Sequence, residues 1–320
     1  MIIRILWLCL FSLFGSALYA EEVKVYIEQI ADHPALDQTR DGIIEALKQA
    51  GYNEGHNLDL RIESAQANPS LAQQIASNYI ASHPDVVVGI GTVSAQAFSR
   101  YALRGETKLV FSSVTDPLGA GLVRSLEVPD NNTTGVSNFV ALEPQLQLFK
   151  QLLPTMQKLG FLYNPGEANS VSLLKKIEEL APRFNMEVIG QIASKTSEVP
   201  QAAAQLASKV DAIFISNDST ALSALSTIIK AADAAKIPVF VSDTDTVRLG
   251  AVAALGPNQY QIGIQTGKMI VRLLQAKDKE MESVEFPRST ELYLNLDAAK
   301  KIGLHIPDSV RKKATKVMGG

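Results

Sequence analysis

The apolar run Val86-Val87-Val88, one of several strand-like stretches with no polar residue at alternate positions, constrains this chain most. A strand with a wet face alternates apolar and polar side chains, so an unbroken run implies burial on both faces, as in a parallel sheet under helices. Such runs recur between amphipathic stretches of helical period. Strands are expected at Val23–Ile30, Leu58–Glu63, Asp85–Ile90 and Lys108–Ser112, with helices at Pro34–Gln49, Pro69–Ala81 and Ser94–Leu103. Asn68 and Pro69 suit the first positions of one of these helices. The pattern then begins again. Strands are expected at Leu159–Tyr163, Met186–Ile192, Ala212–Ser216, Val239–Ser242 and Ala251–Ala254, with helices at Ser170–Arg183, Val199–Lys209, Ser219–Ala235 and Gln259–Gln275. Two βα series of similar length predict an α/β chain of two doubly wound parallel-sheet lobes, joined near the Gly-, Ser-, Asn- and Pro-rich stretch Gly135–Pro144.

The N-terminus speaks to compartment. Arg4 precedes an apolar run, Ile5–Phe14, then the small-residue segment Gly15–Ala20 and the charged pair Glu21-Glu22. That is the pattern of a signal peptide, residues 1–20, cut after about Ala20 to release a periplasmic protein. Its removal takes away Cys9 and Trp7, the only cysteine and tryptophan, so no thiol chemistry or disulfide is expected. The formal net charge of −3 lacks the basic footprint of a nucleic-acid binder.

In open α/β sheets, ligands bind beyond the carboxyl ends of the strands. Here those ends carry Gly91-Thr92-Val93-Ser94, Ser112-Ser113-Val114-Thr115-Asp116, Asn164 to Ser170, Asn217-Asp218-Ser219-Thr220 and Asp243-Thr244-Asp245. Hydroxyls and free N–H groups at a helix start suit a carboxylate, and acids on the facing lobe suit an ammonium. A zwitterion, an amino acid or short peptide, fits both. The same residue types are also ordinary helix caps. The four histidines, His33, His56, His83 and His305, have no metal-ligand spacing, and no serine sits in a nucleophile elbow. No cofactor or metal is expected, and the chain reads as a binder rather than an enzyme. A sugar or nucleoside binder is the alternative, and a hydrolase or epimerase using Asp218 and Asp243 a more distant one.

The segments Gln29 to Asp37, Val114 to Val123, Tyr163 to Ser170, Asn217 to Thr220 and Gly250 to Gly256 resemble those of ABC-transporter substrate-binding proteins of the tryptophan- and phenylalanine-capturing type. The resemblance implies a type I periplasmic-binding fold crossed three times by the chain. Residues 21–137 with about 256–280 would form the N-terminal lobe, and 138–255 with about 281–320 the C-terminal lobe. The helix Gln259–Gln275 would thereby return to the first lobe. Thr92, Ser94, Ser113 and Thr115 would receive the ligand carboxylate. Asn164, Glu167, Asn169, Asn217, Asp218 and Asp243 would furnish the opposite wall, with Asp218 or Asp243 facing the ammonium, and Tyr26, Gln29 and Tyr163 would border the side chain. The implied partners are a small-molecule ligand, an amino acid above all, and a membrane permease, with the binding protein itself a monomer.

Overall fold

A computed structural model describes residues 22–129, 131–276 and 281–320, so the expected signal segment lies outside the described residues. Two sheets organise the chain. The first is built from β1 (Val23–Gln29), β2 (Leu58–Ser64), β3 (Val86–Ile90), β4 (Lys108–Ser112) and β5 (Thr133–Val136), all parallel, in the order β2-β1-β3-β4-β5. Helices α1 (Pro34–Gln49), α2 (Pro69–Ile80) and α3 (Thr92–Leu103) connect them. Every residue of β3 is buried, as its unbroken apolar sequence requires.

After α4 (Leu142–Leu152) the second sheet begins with β6 (Lys158–Tyr163), followed by α5 (Ala168–Leu180), β7 (Glu187–Ile192), α6 (Val199–Ala207) and β8 (Ala212–Ile215). Two helices come next, α7 (Ser219–Ser223) and α8 (Leu225–Ala235), where one unbroken helix was expected. The chain leaves helical geometry at Ala224, which carries no sequence mark of a break. β9 (Val239–Val241), a 3-10 turn over Thr244–Leu249 and β10 (Ala253–Pro257) follow.

The chain then recrosses. α9 (Gln259–Gln275) lies along α1, and β11 (Thr290–Asn295), α10 (Leu296–Lys301), α11 (Asp308–Arg311) and β12 (Lys316–Met318) return to the second sheet. That sheet runs β12-β11-β10-β9-β8-β6-β7, with β11 antiparallel to β10. The α1–α9 contact is close because three glycines line it. A Cβ on Gly42 would stand 2.3 Å from the Tyr260 carbonyl, and one on Gly263 would stand 2.1 Å from that of Thr39.

Residues 282–285, expected with the second lobe, lie instead on the first sheet. Glu285 donates its N–H to the Gly135 carbonyl, and its own carbonyl accepts from Ser137 N–H. The free edge of β5 takes up this segment before the chain crosses back to β11. One apolar core lies under β1 and β3 against α1 and α9, and a second between those strands and α2 and α3. Two more flank the second sheet, one centred on Phe149, Phe161, Phe214 and Phe240. Among the described residues no helix is long and apolar enough to cross a membrane.

Candidate functional site

The parallel strands of both sheets end toward each other, and their carboxyl ends enclose a pocket between the lobes. Ile30, Leu36, Gly91, Thr92, Val93 and Ser113 line it from the first lobe, and Glu167, Asn217, Ser219 and Leu222 from the second. Asn138 on the crossing after β5 and Gln259 at the start of α9 complete it. No Lys, Arg or His is on this wall. The pocket walls stand close, leaving about 30 Å³ for the centre of a water-sized sphere.

The first-lobe wall is built to receive an anion. Gly91 occupies the N-cap of α3 with φ +90°, and no side chain caps this helix. The first-turn N–H groups of a twelve-residue helix are thus offered at the pocket, and the helix dipole adds partial positive charge there. Glycine is required at position 91, since a Cβ would meet the Ile30 side chain at 2.8 Å. Ser113 also adopts a left-handed φ of +55°, a strained conformation for a serine. Its hydroxyl is 3.0 Å from Gln259 Oε1 and 3.1 Å from the Thr39 hydroxyl, which ties the β4 end to α1 and α9.

The second-lobe wall is acidic. Glu167 accepts from the Ser219 N–H at 2.9 Å, the Ser219 hydroxyl at 2.6 Å and the Thr220 N–H at 3.2 Å, so it lies across the start of α7. Burial, and then the neighbouring Asp218 carboxylate, push its pKa up to about 7. A cation beside it would lower that value again.

Of the residues that the resemblance assigns to the ligand, Thr92, Ser113, Glu167 and Asn217 line the pocket, and the others do not. Asp218 is fully buried and already accepts from the Asn164 N–H (2.7 Å), the Ser170 hydroxyl (2.7 Å) and the Ala221 N–H (2.8 Å). It is a cap and a brace between loops, with no oxygen turned to the pocket. Asn164 accepts from the Gly166 N–H and donates to Thr220, which shapes the loop after β6. Asn169 donates to the Asn217 carbonyl, and its Oδ1 is buried without a partner. The Ser94 hydroxyl donates to Glu28 at 2.8 Å, and that of Thr115 to Asn138 at 2.9 Å.

Tyr26 belongs to the far side of β1. Its hydroxyl donates to Asp59 at 2.7 Å, its ring packs on Tyr79, and Arg61 lies over it. Alternation along β1 places Tyr26 on the face opposite Gln29. Gln29 in turn is held by Asp37 and Arg40 beneath the α1 start. Tyr163 packs against Phe161 in the second-lobe core. Asp243, also fully buried, spends Oδ1 on the Asp245 N–H, while Oδ2 has no hydrogen-bond partner.

Asn138 and Gln259 are pocket residues that the sequence alone did not single out, whereas Ser219 stood among the strand-end residues. Asn138 sits in the recognised crossing, but nothing in its neighbours marks it. Gln259 reaches the pocket only because α9 returns to the first lobe. Among the described residues no group of three His, Cys, Asp or Glu is placed to hold a metal ion.

The lobes touch beyond the pocket as well. Asp116, just after β4, accepts from Ser172 and pairs with Lys176 at 3.2 Å, both on α5. Burial alone would raise Asp116, but these partners and the Gly119 N–H outweigh it and hold the carboxyl below its usual range. His33 meets Asp243 across the same boundary, Nδ1 to Oδ2, at 3.8 Å.

The family model described as ABC transporter substrate binding protein matches residues 24–318. A tyrosine-binding protein of Clostridioides difficile is 32% identical over 284 residues, 89% of this chain and 82% of that protein. The solved ABC domain from Streptococcus pneumonia in complex with L-Trp superposes with a TM-score of 0.87 at 30% identity, covering 93% of this chain and all of that one. The ligand-free, open structure of a substrate-binding protein with adhesive properties from Clostridium difficile, at 31% identity and the same coverage, reaches only 0.68. At near-equal identity the chain thus superposes more closely on the L-Trp complex than on the ligand-free, open structure. The chain belongs to the ABC transporter substrate-binding protein family.

Proposed function

We propose that this protein captures an aromatic amino acid between its lobes, in the periplasm and as a monomer, and delivers it to a membrane permease. The observation that carries the ligand class is the opposed polarity of the pocket walls. An uncapped helix start with the Thr92 hydroxyl faces, across the gap, the carboxylate of Glu167. Both charges of a zwitterion lose water on closure, so each must find a partner, and these walls supply one apiece. Ile30, Leu36, Val93 and Leu222 supply the apolar surface for a ring. The relatives described as binding tyrosine and L-Trp support the same class. The pocket lacks the aromatic platform that a sugar would stack on, which sets the sugar reading behind this one. Binding and closure, with no bond made or broken, is the mechanism this wall chemistry serves.

A thermal-shift panel of amino acids, sugars and nucleosides tests the class, because a ligand that binds only the native state raises Tm. Tyrosine, tryptophan or phenylalanine should give the largest rise. Calorimetry of Glu167→Gln should then show binding weakened by roughly 2–5 kcal/mol. Affinity should also fall as pH drops through about 7, where Glu167 takes up the proton that an ammonium must displace. A Glu167→Gln protein that binds like the parent, with no pH dependence in either, would remove the zwitterion pose.

A further inference from the structure

His33 and Asp243 face each other across the lobe boundary, and the chemistry of that contact is unfavourable. His33 caps α1, its Nδ1 accepting the Ala35 N–H at 3.3 Å. That nitrogen therefore shows no proton to Asp243 Oδ2, 3.8 Å away. Two acceptors meet where a donor and an acceptor would attract. Both side chains are shut away from water, at 4% and 0% exposure. Asp243 Oδ2 and His33 Nε2 are each buried with no hydrogen-bond partner.

The surroundings do not repair this. Burial, and then the nearby Arg248, draw the His33 pKa down to about 4 despite Asp37, so the ring is neutral and no ion pair forms. Burial, and then Asp245, push Asp243 up to about 7, with Arg248 only partly opposing them. When the lobes part, His33 leaves with the first and Asp243 with the second, and water reaches both. Closure thus strips a carboxylate oxygen of water and returns nothing to it.

We propose that the His33–Asp243 contact is a counter-latch, which disfavours closure of the unliganded protein so that only a ligand joining both walls shuts it. Such an uncompensated group is a recognised route to selectivity, since it penalises the wrong state rather than rewarding the right one. A binding protein that shut on nothing would present a permease with a false signal. The inference rests on the reading of this chain as a closing binder, though not on which ligand it takes.

Asp243→Asn tests it. The Asn keeps Oδ1 for the Asp245 N–H and removes the negative charge that faces the His33 Nδ1 lone pair, so the repulsion is relieved. Small-angle scattering at pH 8 of the unliganded variant should give a smaller radius of gyration than the parent. Its affinity for whichever aromatic amino acid the parent binds should rise about tenfold, because apparent affinity scales with the fraction ready to close. Asp243→Ser, which also caps the turn and removes the charge, should move both readings in the same direction if the Asn variant does not fold. Unchanged scattering with weakened binding would mean that Asp243 touches the ligand instead, and unchanged values of both would mean that the contact is inert. Either result overturns the counter-latch. Should the parent bind no aromatic amino acid, the ligand assignment falls, and the scattering comparison alone decides the counter-latch.

Discussion

Asp218 stands off the pocket lining, unlike Glu167, and its carboxylate serves three hydrogen bonds within its own lobe. Asp218→Ala should destabilise the protein by about 3 kcal/mol or more in urea unfolding, since two loops and the α7 cap lose their shared acceptor. Its effect on binding should follow that loss of fold. Tyr26→Phe should cost about 1 kcal/mol of stability through the bond to Asp59 and leave ligand affinity unchanged. Glu28 makes the opposite case. Burial pushes its pKa up to about 8, and it accepts from Ser94 with its second oxygen unpartnered. A carboxyl whose folded pKa lies above its unfolded value holds more protons when folded, so stability falls as pH rises from about 4 to 8. Glu28→Gln should therefore raise Tm at pH 8 by at least about 2 °C and change it little at pH 4. At this scale the sequence showed which residue types stand at the strand ends. Which oxygens remain free was hidden, because a capping Asp and a ligand-binding Asp are the same residue in the same place.

Elements were more legible than side chains. The strands with unbroken apolar runs were found, since burial on both faces leaves a composition that little else produces. β5 was passed over because it is four residues long and includes a glycine. α4 was hidden by Pro144, which reads as a breaker although proline is tolerated in a helix's first turn, where it sits here. The return of α9 came from family likeness alone, as an amphipathic helix does not declare which sheet it covers. Its contact with α1 carries its own test. Gly263→Ala places a methyl into the Thr39 carbonyl and should cost more than about 2 kcal/mol, measured by chemical denaturation. Gly303→Ala meets nothing within 4 Å but has φ +77°, so it reports backbone strain without the clash.

For the molecule as a whole, closure is a balance between contacts that form across the boundary. Asp116 with Ser172 and Lys176 favours the closed arrangement. Lys176 is 43% exposed, so solvent screens the pair and its contribution stays near 0.5–1 kcal/mol. Lys176→Ala should weaken ligand binding about threefold, chiefly through faster release, with less difference at high salt. Because the Asp116 carboxyl sits below its usual range, this help is present near neutral pH and fades as pH falls through that lowered value.

The threading of the chain adds a constraint of a different kind. The first sheet is complete at Val136, yet the helix that covers α1 ends only at Gln275. A chain emerging amino end first must release most of its length before its leading half acquires a finished core. A truncation upstream of that late helix should leave the leading half open to proteases despite every one of its own strands being present.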